Sequence, residues 1–595
     1  MLQLKLLQKQ KIFFYQRDVA HFVDEDEAVL TKLAFAMDDE KAIFVAFTQD
    51  QRLIKTTLIA EDDFSYDPEF EAEYQEIDAG FEQVDDLLIS PDLSMAFVRS
   101  KNVIKVYDVS DEYSVDLKAT ITPTAQDQNY TSMALLSGGS SLLIGDSNGQ
   151  VSQWFEMATD QGRQFKQVRT FDVSEFEAVS HIYTEQFRKS FFTMTKSGEM
   201  GVFYTTSEAD LWRGKISSSI PQTFAIAPRA DGILIADQNE LKLFSVKNEH
   251  PEVTWQALWQ EVWYEGYPEP DYIWQSTGGA DDFEAKFSLV PISFGTIKAA
   301  LYAMLFAVPI ALSAAIYTAY FMPSSLRRKV KPTIELMEAL PTVILGFLAG
   351  LWLAPLIEDY LPGVFMLLLF LPMTTFIIAF AWHKLPRKYK NILPESWAPI
   401  ILIPFILIAG YAAFALSPAL ETAFFGGDIR QYITNELGVN FDQRNALVVG
   451  IAMGFAVIPT IFSMAEDAIF SVPKHLTSGS LALGATPWQT LIKVVLLTAS
   501  PGIFSAVMMG LGRAVGETMI VLMATGNTPI VDWSIFQGMR TLAANIAVEM
   551  PESEVGSSHY RILFLAAFVL FVFTFIFNTV AEFVRQRLRD KYSSL

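Results

Sequence analysis

Apolar residues follow two rhythms along this chain. Up to about residue 289 they come in short runs that alternate with polar residues and break at Asn-Gly or Ser-Gly pairs, as in "SLLIGDSNGQ" and "SFFTMTKSGEM". Such units predict β-hairpins. From about residue 293 onward the apolar residues come in blocks of roughly twenty, the length a helix needs to cross a bilayer. The pattern therefore predicts two parts. An all-β domain fills residues 1–260, a connector 261–290, and an all-α polytopic membrane domain 291–595.

The β part carries a loose repeat. Five similar segments recur: "LIKTTLIA" (53–60), "NVIKVYDV" (102–109), "GQVSQWFEM" (149–157), "GEMGVFYTT" (198–206) and "NELKLFSV" (239–246). Their starts lie about 41 to 49 residues apart, near the period of a four-stranded propeller blade. A WD-repeat-like propeller, possible in an incomplete form, is the expected fold; an irregular β-sandwich is the alternative. No catalytic constellation stands out in it. The acidic run "EDDFSYDPEFEAEYQE" (61–76) lacks EF-hand spacing and reads as a solvated loop. In the connector, "WYEGYPEPDYIWQSTGGADDFEAKF" (263–287) is rich in Trp and Tyr, which favours a place near a bilayer surface.

Charge divides at the same boundary. Of 67 acidic and 44 basic residues, residues 1–290 hold 49 and 24, a net of −25, and the remainder carries +2. That sign argues against nucleic acid as a partner. There is no cysteine, hence no disulfide or thiolate metal site, and no metal ligand set is expected. No G-x₄-G-K-[S/T] occurs, so no P-loop nucleotide or other cofactor is expected on this chain.

Seven spans are expected, at about 293–321, 333–357, 363–383, 398–418, 444–468, 498–525 and 561–584. Lys and Arg concentrate in alternate connections: "SSLRRKVKP", "HKLPRKYKN", "KH" and the final "RQRLRDKY". By the positive-inside rule these are cytoplasmic, the C-terminus with them, and the β domain lies outside. The first residues, "MLQLKLLQKQKIFFYQ", lack the apolar core of a signal peptide. A further span encoded ahead of Met1 is therefore expected.

Between the fifth and sixth spans, "SVPKHLTSGSLALGATPWQTLIKVVLLTASPG" (471–502) predicts two short helices around a turn at Gly484, with Thr486 as N-cap and Pro487 in the first helical turn. This elbow resembles the coupling loop of ABC importer permeases, E-A-A-x₃-G. Gly484 matches the glycine, while Ser478, Gly479 and Ser480 stand where E-A-A would be. With "IPTIFSMAEDAIFSVPKHL", "GLGRAVGETMIVLMATGN" and "MEALPTVILGFLAGLW", residues 285–590 resemble the phosphate permease family PstC, of the type I ABC importer fold. Three departures stand out: the β domain, an additional hairpin formed by the third and fourth spans, and the absence of the family's first span.

The resemblance implies a permease subunit of an ATP-driven phosphate importer in the bacterial inner membrane, not itself an enzyme. It implies as partners a PstA-type permease, a PstB-type ATPase dimer that docks on the elbow at 471–497, an extracytoplasmic phosphate-binding protein, inorganic phosphate and membrane lipids. Another oxyanion such as sulfate or phosphonate, or a membrane-anchored propeller that senses a partner, are the alternatives. Within the sixth span, Arg513 and Glu517 stand four apart, on one face of a helix, where they can pair. Charges inside a membrane usually face a polar pathway, though a structural staple between helices is the other reading. In the PstC family the matching Arg and Glu are implicated in phosphate passage. Gly512 and Gly516, with Gly510, predict close approach of a neighbouring helix.

Overall fold

The computed structural model describes residues 3–6, 12–16 and 19–592, apart from 27, 39–40, 61–69, 126–127, 160–161, 176, 238–239, 280–282 and 385–397. The chain divides into two compact units. One comprises residues 1–271 and 275–287; the other comprises Tyr272–Trp274 and Ser288–Leu595.

In the first unit six antiparallel sheets follow one another, at 3–22, 30–77, 86–121, 130–172, 179–215 and 223–245. The first and last have three strands and the others four, each a meander paired in chain order. All five repeated segments are the third strand of successive sheets: Leu53–Ala60, Val103–Asp108, Gln150–Thr159, Glu199–Tyr204 and Glu240–Ser245. Five such sheets were expected, and six of three or four strands are found among the described residues. The sheet at 3–22 escaped because no Asn-Gly or Ser-Gly pair occurs in residues 1–22. Of the acidic run 61–76, residues 61–69 lie outside the described residues, and the rest belongs to strand Phe70–Ile77.

From the sheet at 30–77 onward, successive sheets stack face to face. Along a strand, neighbouring side chains point to opposite faces, and in the sheets at 130–172 and 179–215 both faces are covered. Leu142 joins a core with Phe97 and Ile104 of the preceding sheet, whereas Leu143 joins one with Phe191 and Phe203 of the next. Phe192 in turn packs with Ile233 and Ile235. Burial on both faces explains why "SLLIGD" and "SFFTMT" read as continuous rather than alternating apolar runs. The tight turns depend on glycine: Gly149 has φ +80°, and a Cβ there would lie 2.1 Å from the Ser174 carbonyl oxygen. No closed barrel is found among the described residues.

The expected connector is divided between the units, with 261–271 and 275–287 belonging to the β unit. Buried polar contacts hold it there. Lys189 Nζ donates to Glu265 Oε2 at 2.7 Å, Ser141 Oγ donates to Glu265 Oε1 at 2.5 Å, and Arg169 Nη2 donates to the Trp263 carbonyl at 2.5 Å. Glu284 accepts from Tyr204 OH at 2.9 Å and from Thr206 Oγ1. Loss of water around the Glu284 carboxyl, with Glu265 nearby, pushes its pKa up to about 7.

Among its described residues the second unit contains seven helices long and apolar enough to span a membrane: Val290–Phe321, Thr342–Asp359, Leu361–Lys384, Ile401–Phe424, Ala446–Phe470, Pro487–Val515 and Ser558–Lys591. The first and fifth form its centre. Ala299, Ala303, Ala307, Ala311 and Ala315, spaced four apart, make a fully buried stripe on the first. Across it Gly450 and Gly454 admit Tyr302 and Phe306 to within 3.2 Å and 3.1 Å of where a Cβ would sit. Small residues at helical spacing let backbones approach, which gains dispersion contacts where lipid offers no hydrophobic drive.

Two spans depart from expectation by about ten residues. The second span starts at Thr342, because Ser324–Glu338 is a separate amphipathic helix broken off at Pro341. The sixth starts at Pro487 and ends at Val515, about ten residues earlier than expected at each end.

Candidate functional site

The helix Ser324–Glu338 lies antiparallel to the fifth span, and polar side chains join the two at every turn. Beginning at one end, Thr460 Oγ1 donates to Glu338 Oε1 at 2.9 Å. Next, Ser463 Oγ donates to Glu335 Oε1 at 3.0 Å. Then Lys331 Nζ sits 3.0 Å from Glu466 and 2.5 Å from Asp467. Finally Arg327 pairs with Glu466 and stacks over Phe470, 3.4 Å from the ring centre. Glu466 is fully buried. The two cations around it offset the several kcal/mol of desolvation that a lone carboxylate would cost. Spacings of three and four residues on both helices put every group on one face.

Arg513 closes the upper end of this ladder. Its Nη1 donates to Glu338 Oε1 at 2.8 Å and to Thr460 Oγ1 at 2.8 Å. Its other guanidinium nitrogens make no hydrogen bond among the described residues, and the side chain is half-buried. The expected pairing of Arg513 with Glu517 is not what the structure shows. The helix ends at Val515, Gly516 caps it, and Glu517 falls beyond the last turn. Glu517 forms no ion pair among the described residues. Glycine's low helix propensity and the following Thr518 account for the break. Arg513 takes Glu338 as its carboxylate instead, a partner from 175 residues away.

The glycines part company too. A Cβ on Gly510 would lie 2.5 Å from Ile461 of the fifth span, so Gly510 is a true point of close approach. Gly512 meets only Asn578 at 3.6 Å, and Gly516 only its own helix, so neither supports the expected G-x-x-x-G contact.

At the elbow the helix Lys474–Ala482 turns at Gly484, whose φ of +89° suits glycine. Thr486 caps the next helix through Gln489 in a reciprocal capping box, with Pro487 in its first turn. That helix is not short: it continues through a π-turn at Leu491–Val495 into the sixth span. Ser480 Oγ lies 2.9 Å from Thr490 Oγ1 and so ties the two arms together, while Ser478 and Gly479 sit on the first arm without close neighbours at Gly479. Leu483, 92% exposed, and Trp488, 61% exposed, give the elbow an uncovered apolar tip.

Reasoning from sequence missed Glu338, Glu335, Thr460 and Ser463. A signal was present, since Thr460, Ser463 and Asp467 recur at helical spacing within an otherwise apolar span.

A model of the family described as binding-protein-dependent transport system inner membrane component matches residues 307–590. The phosphate transport system permease protein PstC 2 of Mycobacterium bovis is 30% identical over 234 residues, which are 37% of this chain and 70% of that protein. The chain belongs to the family of binding-protein-dependent transport system inner membrane components. Among other relatives, PstC of Xylella fastidiosa is 28% identical over 308 residues, covering 52% of this chain and 76% of that one. A probable ABC transporter permease protein of Bacillus subtilis, YqgH, is 26% identical over 307 residues, 51% and 74% of the respective chains. Family membership makes this an integral membrane transporter component rather than an enzyme, and the ladder, Arg513 and the elbow all lie within the matched residues. The β unit lies outside them.

Proposed function

We propose that this chain is the permease subunit of an ATP-driven phosphate importer and forms half of the pathway across a bacterial inner membrane. The carrying observation is Arg513: a half-buried guanidinium at the end of a membrane helix, engaged through one nitrogen only. A planar fork with open donors suits a tetrahedral oxyanion. The names of relatives that carry phosphate support the same substrate. A PstA-type permease would supply the other half of the pathway, and a PstB-type ATPase dimer would dock on the elbow around Gly484. A phosphate-binding protein would deliver the ion on the side of the β domain, the side opposite the basic loops, which the positive-inside rule supports as the outer one.

Arg513→Gln tests the reading. It should abolish phosphate uptake in membrane vesicles while the ATPase still co-purifies, because Glu338 and Thr460 retain their mutual hydrogen bond and access to water. Uptake at the wild-type rate in an assembled Arg513→Gln complex would refute it.

A further inference from the structure

Glu338 presents a difficulty for any passing anion. Arg513 is held by a carboxylate, and a phosphate that approaches the guanidinium must approach that carboxylate as well. The hydrogen bonds show how both can be accommodated. Glu338 receives Arg513 Nη1 and Thr460 Oγ1 on the same oxygen, Oε1, at 2.8 Å and 2.9 Å. Its Oε2 accepts no hydrogen bond among the described residues, and the side chain is exposed. On the other side of the contact, Nε and Nη2 of Arg513 remain available as donors. An open acceptor therefore stands beside an open pair of donors, on two helices joined by Thr460 of a third.

We propose that Glu338 is a specificity-determining residue, which accepts a hydrogen bond from an oxyanion that still carries a proton and repels one that does not. This rests on the reading of Arg513 as part of the phosphate pathway. The chemistry is that of the free ions. At neutral pH inorganic phosphate keeps at least one P–OH, which can donate to Oε2 while its ionised oxygens face the guanidinium. Sulfate is fully ionised and offers the carboxylate only lone pairs. Its charge and shape otherwise resemble those of phosphate, so Arg513 alone discriminates poorly. A site that expects a hydrogen bond rejects the analogue that cannot make it, and like charges brought together without water add to the rejection.

The test uses the assembled transporter complex purified without its binding protein, so that the binding protein's own selectivity does not contribute. Radiolabelled inorganic phosphate is bound to the complex and displaced with unlabelled phosphate or with sulfate. In the wild type, sulfate should displace at least about tenfold more weakly than phosphate, and Glu338→Gln should bring the two within about twofold of each other. Glu338→Ala, which removes the acceptor altogether, should loosen the ratio in the same direction. A merely structural residue would alter the amount of bound phosphate without altering this ratio. An unchanged ratio in Glu338→Gln, with phosphate still bound, would overturn the assignment, as would failure of both variants to assemble. Binding that persists in Arg513→Gln would instead strike the pathway reading, and this proposal with it.

Discussion

The carboxyl of Glu284, partly exposed but poor in water around it, makes the β unit's stability depend on pH in a defined sense. Its ordinary pKa of 4.5 is pushed up to about 7 by desolvation, against the hydrogen bonds from Thr206 and Tyr204 that favour the charged form. Between those two values the folded chain keeps a proton that the unfolded chain has released. Stability from this group is therefore greatest below pH 4.5, falls as pH rises through the window, and is level again above 7. The full shift corresponds to about 3 kcal/mol. Glu284 retains some solvent contact, which reduces the figure to about 2 kcal/mol. For a unit of this size that is a change of roughly 5 °C in Tm. Glu284→Gln keeps the acceptor for Tyr204 and Thr206 but cannot ionise, so it should match the wild type near pH 4.5 and exceed it by that margin at pH 8. Thermal unfolding of the full chain in detergent, followed at the β-sheet amide I band, measures the difference, and pH effects shared by both proteins cancel. A difference between variant and wild type that stays constant from pH 4.5 to 8, or that shrinks, would refute the reasoning.

Two further substitutions probe the membrane unit. Gly484 has open space around it, so the cost of Gly484→Val comes from its φ of +89° alone, about 1–2 kcal/mol; Val should uncouple ATP hydrolysis from transport while Asn, which tolerates that conformation, should not, as an ATPase assay on the complex would show. At Gly510, where a Cβ would sit 2.5 Å from Ile461, Gly510→Leu should cost 1–3 kcal/mol or more and reduce the folded fraction seen by size-exclusion chromatography, whereas Gly512→Leu should be tolerated.

Much of this architecture is legible in the sequence because it rests on period and length. Seven spans follow from apolar runs that a bilayer demands, and five sheets from third strands at a recurring interval. The elbow is equally legible, since Thr486, Pro487 and Gly484 act through local backbone geometry. What could not be read depends on distant residues or on where a helix stops. Arg513 and Glu517 share a face only if the helix continues, and Gly516 ends it. The true partner, Glu338, ends a helix whose first residues, "SSLRRKVKP", were expected as a loop and whose last were expected in the second span. Charge-rich composition marks the side of the membrane, but an amphipathic helix packed on a span has the same composition.

The ladder between Ser324–Glu338 and the fifth span also restricts how these helices can move. Its rungs differ in kind: carboxylate on hydroxyl at Glu338 and Glu335, cation on carboxylate at Lys331 and Arg327. A slip of one turn in one direction would set Glu335 against Asp467, acid on acid. A slip in the other would move Lys331 from Glu466 to Ser463 and leave Glu335 and Glu338 opposite Pro459 and Ala456, without their hydroxyl partners. Either offset costs several kcal/mol, so there is no neighbouring register in which to rest. The two helices should therefore move together, so that a tilt imposed at one end should reach the guanidinium at the other.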